Sequence, residues 1–438
     1  MARVDAAAGS ALKTEPYWWQ AAPREARPVD PHPVPKTVDV AVVGAGYAGL
    51  TAALTLTRAG RSVVVLDAQT PGFGGSSRSG GMIGHGHRLS YAALKDRYGQ
   101  AKAVALLKEG MASLEYLIDF VAAEKIDAQL QRTGRFRGAW LAADYEAMGR
   151  EVDILRSEAG LDVELISRSE QHREIATDAY HGGMIFPSHG GLHPALLHTG
   201  LLAVARKAGV TVIGHTPVTS ITKTAGGHEV RTARGNILAS DVIATTNGYT
   251  GKATIGLARR LVPMPSYLIA TERLGENRVK SLIPNGRMIV ETGSKHLYYR
   301  PSPDRTRIVF GGRAALHPIP PEKSAARLMK SLTQILPELS GVQAEYAWSG
   351  NIAFTRSDLA AIGRQPDGIW YALGCNGSGV ALMNYLGYKL ALQVLGDPQG
   401  ATAFDDIAFK AVPLYNGTPW FLPLMTGYYR AKDLWRGD

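Results

Sequence analysis

The chain has 438 residues but only one cysteine, Cys375. A single thiol excludes an intrachain disulfide and any cysteine-rich metal cluster, and it suits a reducing compartment. Long runs of like charge are also missing, although 48 Lys and Arg against 38 Asp and Glu leave a formal charge of +10. No basic run is interleaved with aromatics, which argues against a nucleic-acid partner. The excess charge then reads as a basic, soluble surface, or as a mild pull on small anionic substrates. The opening MARVDAAAGSALKTEPYWW has no apolar stretch behind a basic start. No secretory leader is therefore expected, and the cytoplasm is the default. The most apolar run, residues 38–56, is long enough to suggest a membrane span. It is interrupted by Gly44, Gly46 and Gly49, so no membrane association is expected. Internal repeats are absent, and the only biased tract is the proline-rich PREARPVDPHPVPK.

What is present is the composition of a globular protein, 45% hydrophobic and 20% charged, long enough for two interleaved domains. Residues 1–36 read as an irregular arm. Its PYWW segment, Pro16 to Trp19, is a tether packed on the body or the lining of a site entrance. VDVAVV then has the β-branched character of a strand buried on both faces. GAGYAG turns the chain, LTAALTLTRAG has helical spacing, and RSVVVLDA is a second buried strand. This is a βαβ unit.

Gly44-x-Gly46-x-x-Gly49 lies at the strand-to-helix turn, and Asp67 ends the second strand. Each part has a physical task. Gly44 permits the tight turn, Gly46 lets a pyrophosphate approach the backbone, and Gly49 lets helix and strand pack closely. The helix N-terminus offers free N–H groups to the phosphates. Asp67 can accept hydrogen bonds from ribose hydroxyls, which argues against a 2′-phosphate. FAD or NAD fits; NADP does not.

GGSSRSGGMIGHGHR, Gly74 to Arg88, follows at once. It has three readings: a linker, a metal site, or a loop moulded around a ligand. A linker does not belong directly after the second strand of a dinucleotide fold. His85 and His87 lack the further ligands a metal requires, so no metal is expected. The third reading is favoured. A second glycine-rich turn, GCNGSGV, lies between the strand-like IWYALG and a helix near the C-terminus. It offers more N–H donors at another helix start. Two such loops at opposite ends of the chain suit a long cofactor bound across the whole fold.

At these residues the sequence resembles the D-amino-acid-oxidase family of FAD-dependent amine oxidoreductases and, within it, the gamma-glutamylputrescine oxidase group. The resemblance is carried by PYWW, VVGAGYAGLTAAL, VVVLDA, PGFGGSSRSGG, HGGLHP, VIATTNGY, YLIATERL, YYRPSPDRTRIVFGG, WSGNIAFTRSDLAAIGR and GCNGSGV, in order over residues 15–430. It implies an α/β fold: a Rossmann-like FAD-binding domain of discontinuous segments plus a smaller α+β substrate domain with a mostly antiparallel sheet. The expected division is an arm at 1–36, FAD-binding segments at 37–90, 194–262 and 345–438, and mainly substrate-domain segments at 91–193 and 263–344.

By position, the resemblance places Gly44, Ala45, Gly46, Tyr47, Ala48, Gly49, Asp67 and Ala68 at the ADP part. Ser76, Ser77, Arg78, Ser79, Gly80, Gly81 and Met82 match the loop reaching the flavin ring. Val218 matches a strand residue beside the adenine, and Thr245 and Asn247 match the segment under ribose and phosphates. Gly350 belongs to the same set, with Asn376, Gly377, Ser378, Gly379 and Val380 at the flavin O2 edge. Some relatives attach flavin through a histidine at the place of Ser79, others through a cysteine near Phe354. Neither residue is present there, so non-covalent FAD is expected, with Cys375 a small buried thiol.

Five residues are candidates for the substrate. On one strand, Tyr298 with Arg300, or Tyr299 alone, faces the flavin, because alternate side chains point opposite ways. Arg300 suits a carboxylate through its fork of donors, or else faces solvent. Trp348 is a pocket wall or a core residue. His85 is expected where the loop leaves the flavin and borders the pocket, while His189 and His193 are structural or at a pocket edge. Arg78 is expected over the flavin or on its phosphates.

The implied activity is oxidation of a small primary or secondary amine carrying an anionic end. Gamma-glutamylated polyamines, N-alkyl amino acids, opines and aminophosphonates all qualify. Hydride would pass from C–H to flavin N5, the imine would hydrolyse, and oxygen would be reduced to hydrogen peroxide. An amine dehydrogenase with another acceptor, an NADPH-dependent flavin monooxygenase and a non-catalytic FAD-stabilised binding protein are the competing readings. The chain says nothing of its oligomeric state.

Overall fold

A computed structural model describes residues 11–23 and 33–422. Parts of the expected arm (1–10 and 24–32) and of the last FAD-binding segment (423–438) lie outside the described residues.

Thr37–Val43 forms the centre of the first sheet, with its last four residues buried. It pairs in parallel with Val63–Leu66 on one side and Gly235–Ala244 on the other. Thr211–Ile213 extends the sheet beyond Val63–Leu66, and Trp370–Leu373 extends it beyond Gly235–Ala244, both in parallel. Ala361–Arg364 closes that edge antiparallel. A hairpin, Val218–Thr224 and Gly227–Thr232, hangs antiparallel from Gly235–Ala244. Strands buried on both faces require cover from helices. Tyr47–Arg58, Pro194–Lys207 and Gly379–Leu395 provide it on one core. The first and last of these meet backbone to backbone: a methyl at Gly387 would lie 2.3 Å from the Ala48 carbonyl oxygen.

The second sheet has eight strands in the order Ala344–Phe354, Val262–Thr271, Ile308–Gly312, Tyr298–Pro301, Met288–Glu291, Arg135–Gly138, Gly183–Phe186, Glu164–Ile166. All its pairs are antiparallel except Met288–Glu291 with Arg135–Gly138. Its back face packs Phe136, Ile289, Tyr299 and Phe310 with Leu328 and Leu332 of the helix Pro321–Ile335. The front face turns toward the first layer.

Two expected boundaries move. Residues 345–354 are expected in an FAD-binding segment, but the strand Ala344–Phe354 pairs along its whole length with Val262–Thr271 and so belongs to the second sheet. The helices Tyr91–Tyr98 and Gln100–Ala123 fell in the substrate segment, yet they share the first core. There Tyr116 stacks on Tyr388 at 4.9 Å, and Glu109 accepts a 2.6 Å hydrogen bond from Tyr385.

The PYWW segment is a tether. Residues Tyr17–Gln20 make one turn of 3-10 helix, and Trp18 is fully buried against Leu268, Ala270, Val309 and Trp348. Its indole donates to the Ser79 carbonyl at 2.8 Å, and the Trp19 indole donates to Ser77 Oγ at 3.0 Å. Upstream, Lys13 bonds Glu345 and Ala347 of the strand Ala344–Phe354, covering a sheet edge that would otherwise be open. Trp18→Ala is expected to destabilise the protein by about 3 kcal/mol or more. Urea unfolding checks this; an unchanged midpoint would show that the arm is not part of the fold.

Candidate active site

Between the two layers lies a cavity of 1520 Å³. Drug-sized sites hold roughly 300–1,000 Å³, so this one has room for a dinucleotide with something beside it. Its walls come from both ends of the chain.

At one end, Gly44, Gly46, Tyr47, Ala48, Asp67 and Ala68 line the cavity. Gly44 has φ +106°, a conformation that disfavours a side chain. Asp67 shapes the turn as well as facing the cavity: its Oδ2 accepts from Ala45 N–H at 2.8 Å and its Oδ1 from Gln69 N–H at 2.9 Å. The helix Tyr47–Arg58 has no side-chain cap at Gly46. Ser76 Oγ accepts from Tyr47 N–H at 3.1 Å, tying the loop Gly74–Arg88 to that helix start. Val218 and Thr245 line the same region. Thr245 Oγ1 donates to the carbonyls of Val43 and Gly44.

The second glycine-rich turn converges on the same cavity through Asn376, Gly377, Ser378, Gly379 and Val380. Its helix, Gly379–Leu395, also begins without a side-chain cap. Two helix N-termini thus present donors and partial positive charge to one space, the arrangement that suits a bound anionic cofactor. Asn247 orders this turn. Its Oδ1 accepts from the N–H groups of Gly374 and Cys375, and its Nδ2 donates to Cys375 Sγ at 3.2 Å. Asn376 Oδ1 accepts from Thr355 N–H at 3.0 Å.

Between these ends lie Ser76, Arg78, Ser79, Gly80, Gly81, Met82 and Gly350. The Arg78 guanidinium sits 4.3 Å from the Phe73 ring and 4.7 Å from that of Trp19. It donates to the carbonyls of Phe73 and Ser349. Gly80 packs under Tyr298, where a methyl would meet the ring at 2.9 Å. Tyr298 borders the cavity and shares a 2.9 Å hydrogen bond with Ser266, and burial pushes its hydroxyl up to about 12. His85 lines the cavity too, 4% exposed.

Several expected site residues stand behind this wall. Ala45, Gly49 and Ser77 do not border the cavity. Ala45 accepts a hydrogen bond from His198, and Ser77 donates to the Gly72 carbonyl. Strand alternation does put Tyr298 and Arg300 on one face, but only Tyr298 reaches the cavity. Arg300 is 1% exposed and donates to the carbonyls of Gly81 at 3.0 Å and Leu192 at 2.9 Å, beneath the loop Gly74–Arg88. It braces the loop and is not placed to meet a carboxylate. Tyr299 points to the back core, where its hydroxyl lies 2.9 Å from that of Tyr180. Trp348 packs against Trp18 and donates to the Arg78 carbonyl at 2.8 Å, so it too is a brace.

Arg135 and Arg137, not among the expected site residues, line the cavity from the second sheet, and His189, expected to be structural or at a pocket edge, lines it as well. The alternation R-F-R in TGRFRGAW was the available signal. His189 stacks on Phe186 at 4.9 Å, and its ring centre is 4.2 Å from that of His85. Burial, reinforced by the charge of Arg135, holds His85 down at about 3 and His189 well below the ordinary histidine range. Both rings are therefore neutral near neutral pH. Among the described residues no group of three His, Cys, Asp or Glu side chains is arranged to hold a metal ion. No helix there is long and apolar enough to cross a membrane.

Comparison with known proteins follows this geometry. The family model described as DAO, FAD dependent oxidoreductase, matches residues 39–392. The gamma-glutamylputrescine oxidoreductase of Escherichia coli (strain K12) is 31% identical over 401 residues, covering 91% of this chain and 93% of that protein. Glycine oxidase from Geobacillus kaustophilus superposes with a TM-score of 0.72 at 21% identity, covering 86% of this chain and 99% of that one. L-proline dehydrogenase from P. horikoshii superposes at 0.69 with 18% identity, covering 91% and 99%.

Two outcomes follow from the site. A methyl at Gly49 would stand 1.9 Å from the Gly44 carbonyl oxygen and 2.7 Å from Thr245 Oγ1. Gly49→Ala should therefore lose most bound flavin, while Gly226→Ala, with open space around it, keeps it. Visible absorbance relative to protein absorbance reads this. The buried histidines set a pH limit. Their unfolded counterparts titrate near 6.5, so the unfolded chain binds more protons as pH falls from that value, and stability is lost over the same window. Each histidine steepens the loss by up to about 1.4 kcal/mol per pH unit. Denaturation midpoints between pH 7 and 4.5 should fall less steeply in His85→Asn than in the parent; identical slopes would contradict the assignment.

Proposed function

The chain belongs to the DAO family of FAD-dependent oxidoreductases, and we propose that it oxidises a small amine with an anionic end, using non-covalent FAD and oxygen. The observation that carries this reading is one cavity with, at its walls, the starts of two helices whose own N-cap residues make no side-chain cap, and with Tyr298, His85, Arg135 and Arg137 on the sheet side. The likeness to gamma-glutamylputrescine oxidoreductase supports an amine as substrate.

The cradle around Gly44, Gly46 and Asp67 would hold the ADP part of FAD, and the turn Asn376–Val380 the flavin ring edge. FAD supplies, when bound, the acceptor for the hydride of the substrate C–H and the route of those two electrons to oxygen. The chain's own residues provide placement and a dry surrounding. Met264, Leu268, Leu316 and Ile352 keep the wall apolar, which favours the neutral, oxidisable form of the amine. The Tyr298 hydroxyl, protonated at any ordinary pH, is available as a hydrogen-bond donor or acceptor to the amine nitrogen. The neutral His85 ring offers one N–H and one acceptor nitrogen beside it. The balance is amine, water and oxygen consumed, with carbonyl compound, ammonia or a smaller amine, and hydrogen peroxide formed.

Anaerobic mixing of holoenzyme with a panel of amines should bleach the flavin, and air should restore it with stoichiometric peroxide. Bleaching by no amine would overturn the reading. Bleaching without peroxide, with an artificial acceptor turning over, would make it a dehydrogenase. NADPH-dependent bleaching would favour a monooxygenase. Acid precipitation should leave a white pellet and a yellow supernatant. Ser79 occupies the loop position and Cys375 is buried with its sulfur engaged by Asn247. A yellow pellet would contradict non-covalent attachment.

A further inference from the structure

We propose that Arg135 and Arg137, with His85 and His189 beside them, form the subsite for a carboxylate at the far end of an extended substrate. The proposal rests on the amine-oxidoreductase reading and adds to it which residues hold the anionic end, and how far that end lies from the reacting amine.

The strand Arg135–Gly138 alternates. Phe136 and Gly138 are buried on one face, and Arg135 and Arg137 turn to the cavity on the other. Two guanidinium groups two residues apart have Cα atoms only about 7 Å apart. The Arg137 side chain makes no hydrogen bond or ion pair among the described residues, its backbone being paired in the sheet. Arg135 donates once, to the Ile83 carbonyl at 3.4 Å, and its Nε has no partner. Among the described residues neither arginine forms an ion pair with the acids that line the same cavity. Asp144 accepts from Leu141 N–H and from Thr292 Oγ1, and Glu291 accepts from Leu297 N–H. Beside the arginines, His85 and His189 are 4% and 1% exposed, yet both nitrogens of His85 and Nδ1 of His189 lack a partner.

Like charges side by side and half-buried, next to buried imidazoles with unsatisfied nitrogens, are unfavourable until an anion joins them. A carboxylate fits, because it accepts from guanidinium forks and from a neutral imidazole N–H. Position gives the length. Arg137 is in register with Val290, and Val290 with Tyr298. Two strand spacings of about 4.8 Å separate the Arg137 and Tyr298 backbones by about 10 Å. With the amine beside Tyr298, a carboxylate several bonds away suits the subsite better than one on the adjoining carbon.

The probes are ω-amino carboxylates of increasing length, their ω-amino carboxamide counterparts, and glycine. The holoenzyme is compared with Arg137→Gln, Arg135→Gln and Arg137→Lys. In the parent, kcat/KM for the long carboxylate should exceed that for its carboxamide by about tenfold to a hundredfold, as expected for a charged hydrogen bond, and should exceed that for glycine. The carboxylate preference should shrink in both glutamine variants and partly persist in Arg137→Lys. Equal rates for carboxylate and carboxamide in the parent, a preference intact in both glutamine variants, or glycine as the better substrate would overturn the proposal. Titration with glutarate, read by perturbation of the flavin spectrum, needs no turnover. It should bind the parent at least about tenfold more tightly than Arg137→Gln; equal binding would refute the subsite. Glutarate binding that depends on Arg137, with no amine bleaching the flavin, would instead refute the amine reading and leave the anion subsite standing.

Discussion

Close contact between backbones at two glycines, one beside the first strand-to-helix turn and one in mid-helix, is the constraint from which the rest of the structure follows. Gly49 lies where a methyl would overlap the Gly44 carbonyl, and Gly387 lies where one would overlap Ala48. Without a side chain at Gly49 the helix Tyr47–Arg58 can press on the turn that precedes it, and without one at Gly387 the helix Gly379–Leu395 can cross it at Ala48, so that both N-termini face one cavity. Each terminus leaves backbone N–H groups without a helical partner. Brought together, they make a site for a long anionic cofactor. Asp67 and Asn247 then spend their side chains on backbone N–H groups of the turns, holding the cradle in shape.

A second set of buried polar groups fixes the loop between those ends. Trp18 and Trp348 donate to the carbonyls of Ser79 and Arg78, and Arg300 donates to that of Gly81. A glycine- and serine-rich loop has little apolar surface with which to hold itself. Here it is held by its carbonyls, from donors on the arm and the second sheet. That is why the arm is part of the active-site architecture although it lies far from it in sequence.

Most of the fold was legible in the sequence. The βαβ unit rests on continuous β-branched runs and a glycine fingerprint, signals that are local and survive without tertiary context. The loop Gly74–Arg88 was legible for the same reason. What was not legible depended on which face a side chain meets. Alternation correctly paired Tyr298 with Arg300, but no local signal showed that the flavin loop covers Arg300. Trp348 sits on a strand next to loop residues matched to flavin contacts, and only the full-length pairing with Val262–Thr271 puts that strand in the second sheet. The R-F-R alternation puts Arg135 and Arg137 on one face of a strand, but a short strand far from any glycine motif does not show which cavity that face borders.

Under the proposed function the labour would divide: the helix N-termini and glycine turns would take the cofactor, and the second sheet would present Tyr298 to the reacting end of a substrate and arginines to its other end. The most direct test is a crystal structure of the holoenzyme with a long ω-amino carboxylate bound anaerobically. The account predicts the pyrophosphate at the N–H groups of Gly46 to Ala48, the flavin ring between Gly80 and the turn Asn376–Val380, and the carboxylate on Arg135 and Arg137. A carboxylate on any other cation, or a cofactor outside the two helix starts, would contradict it.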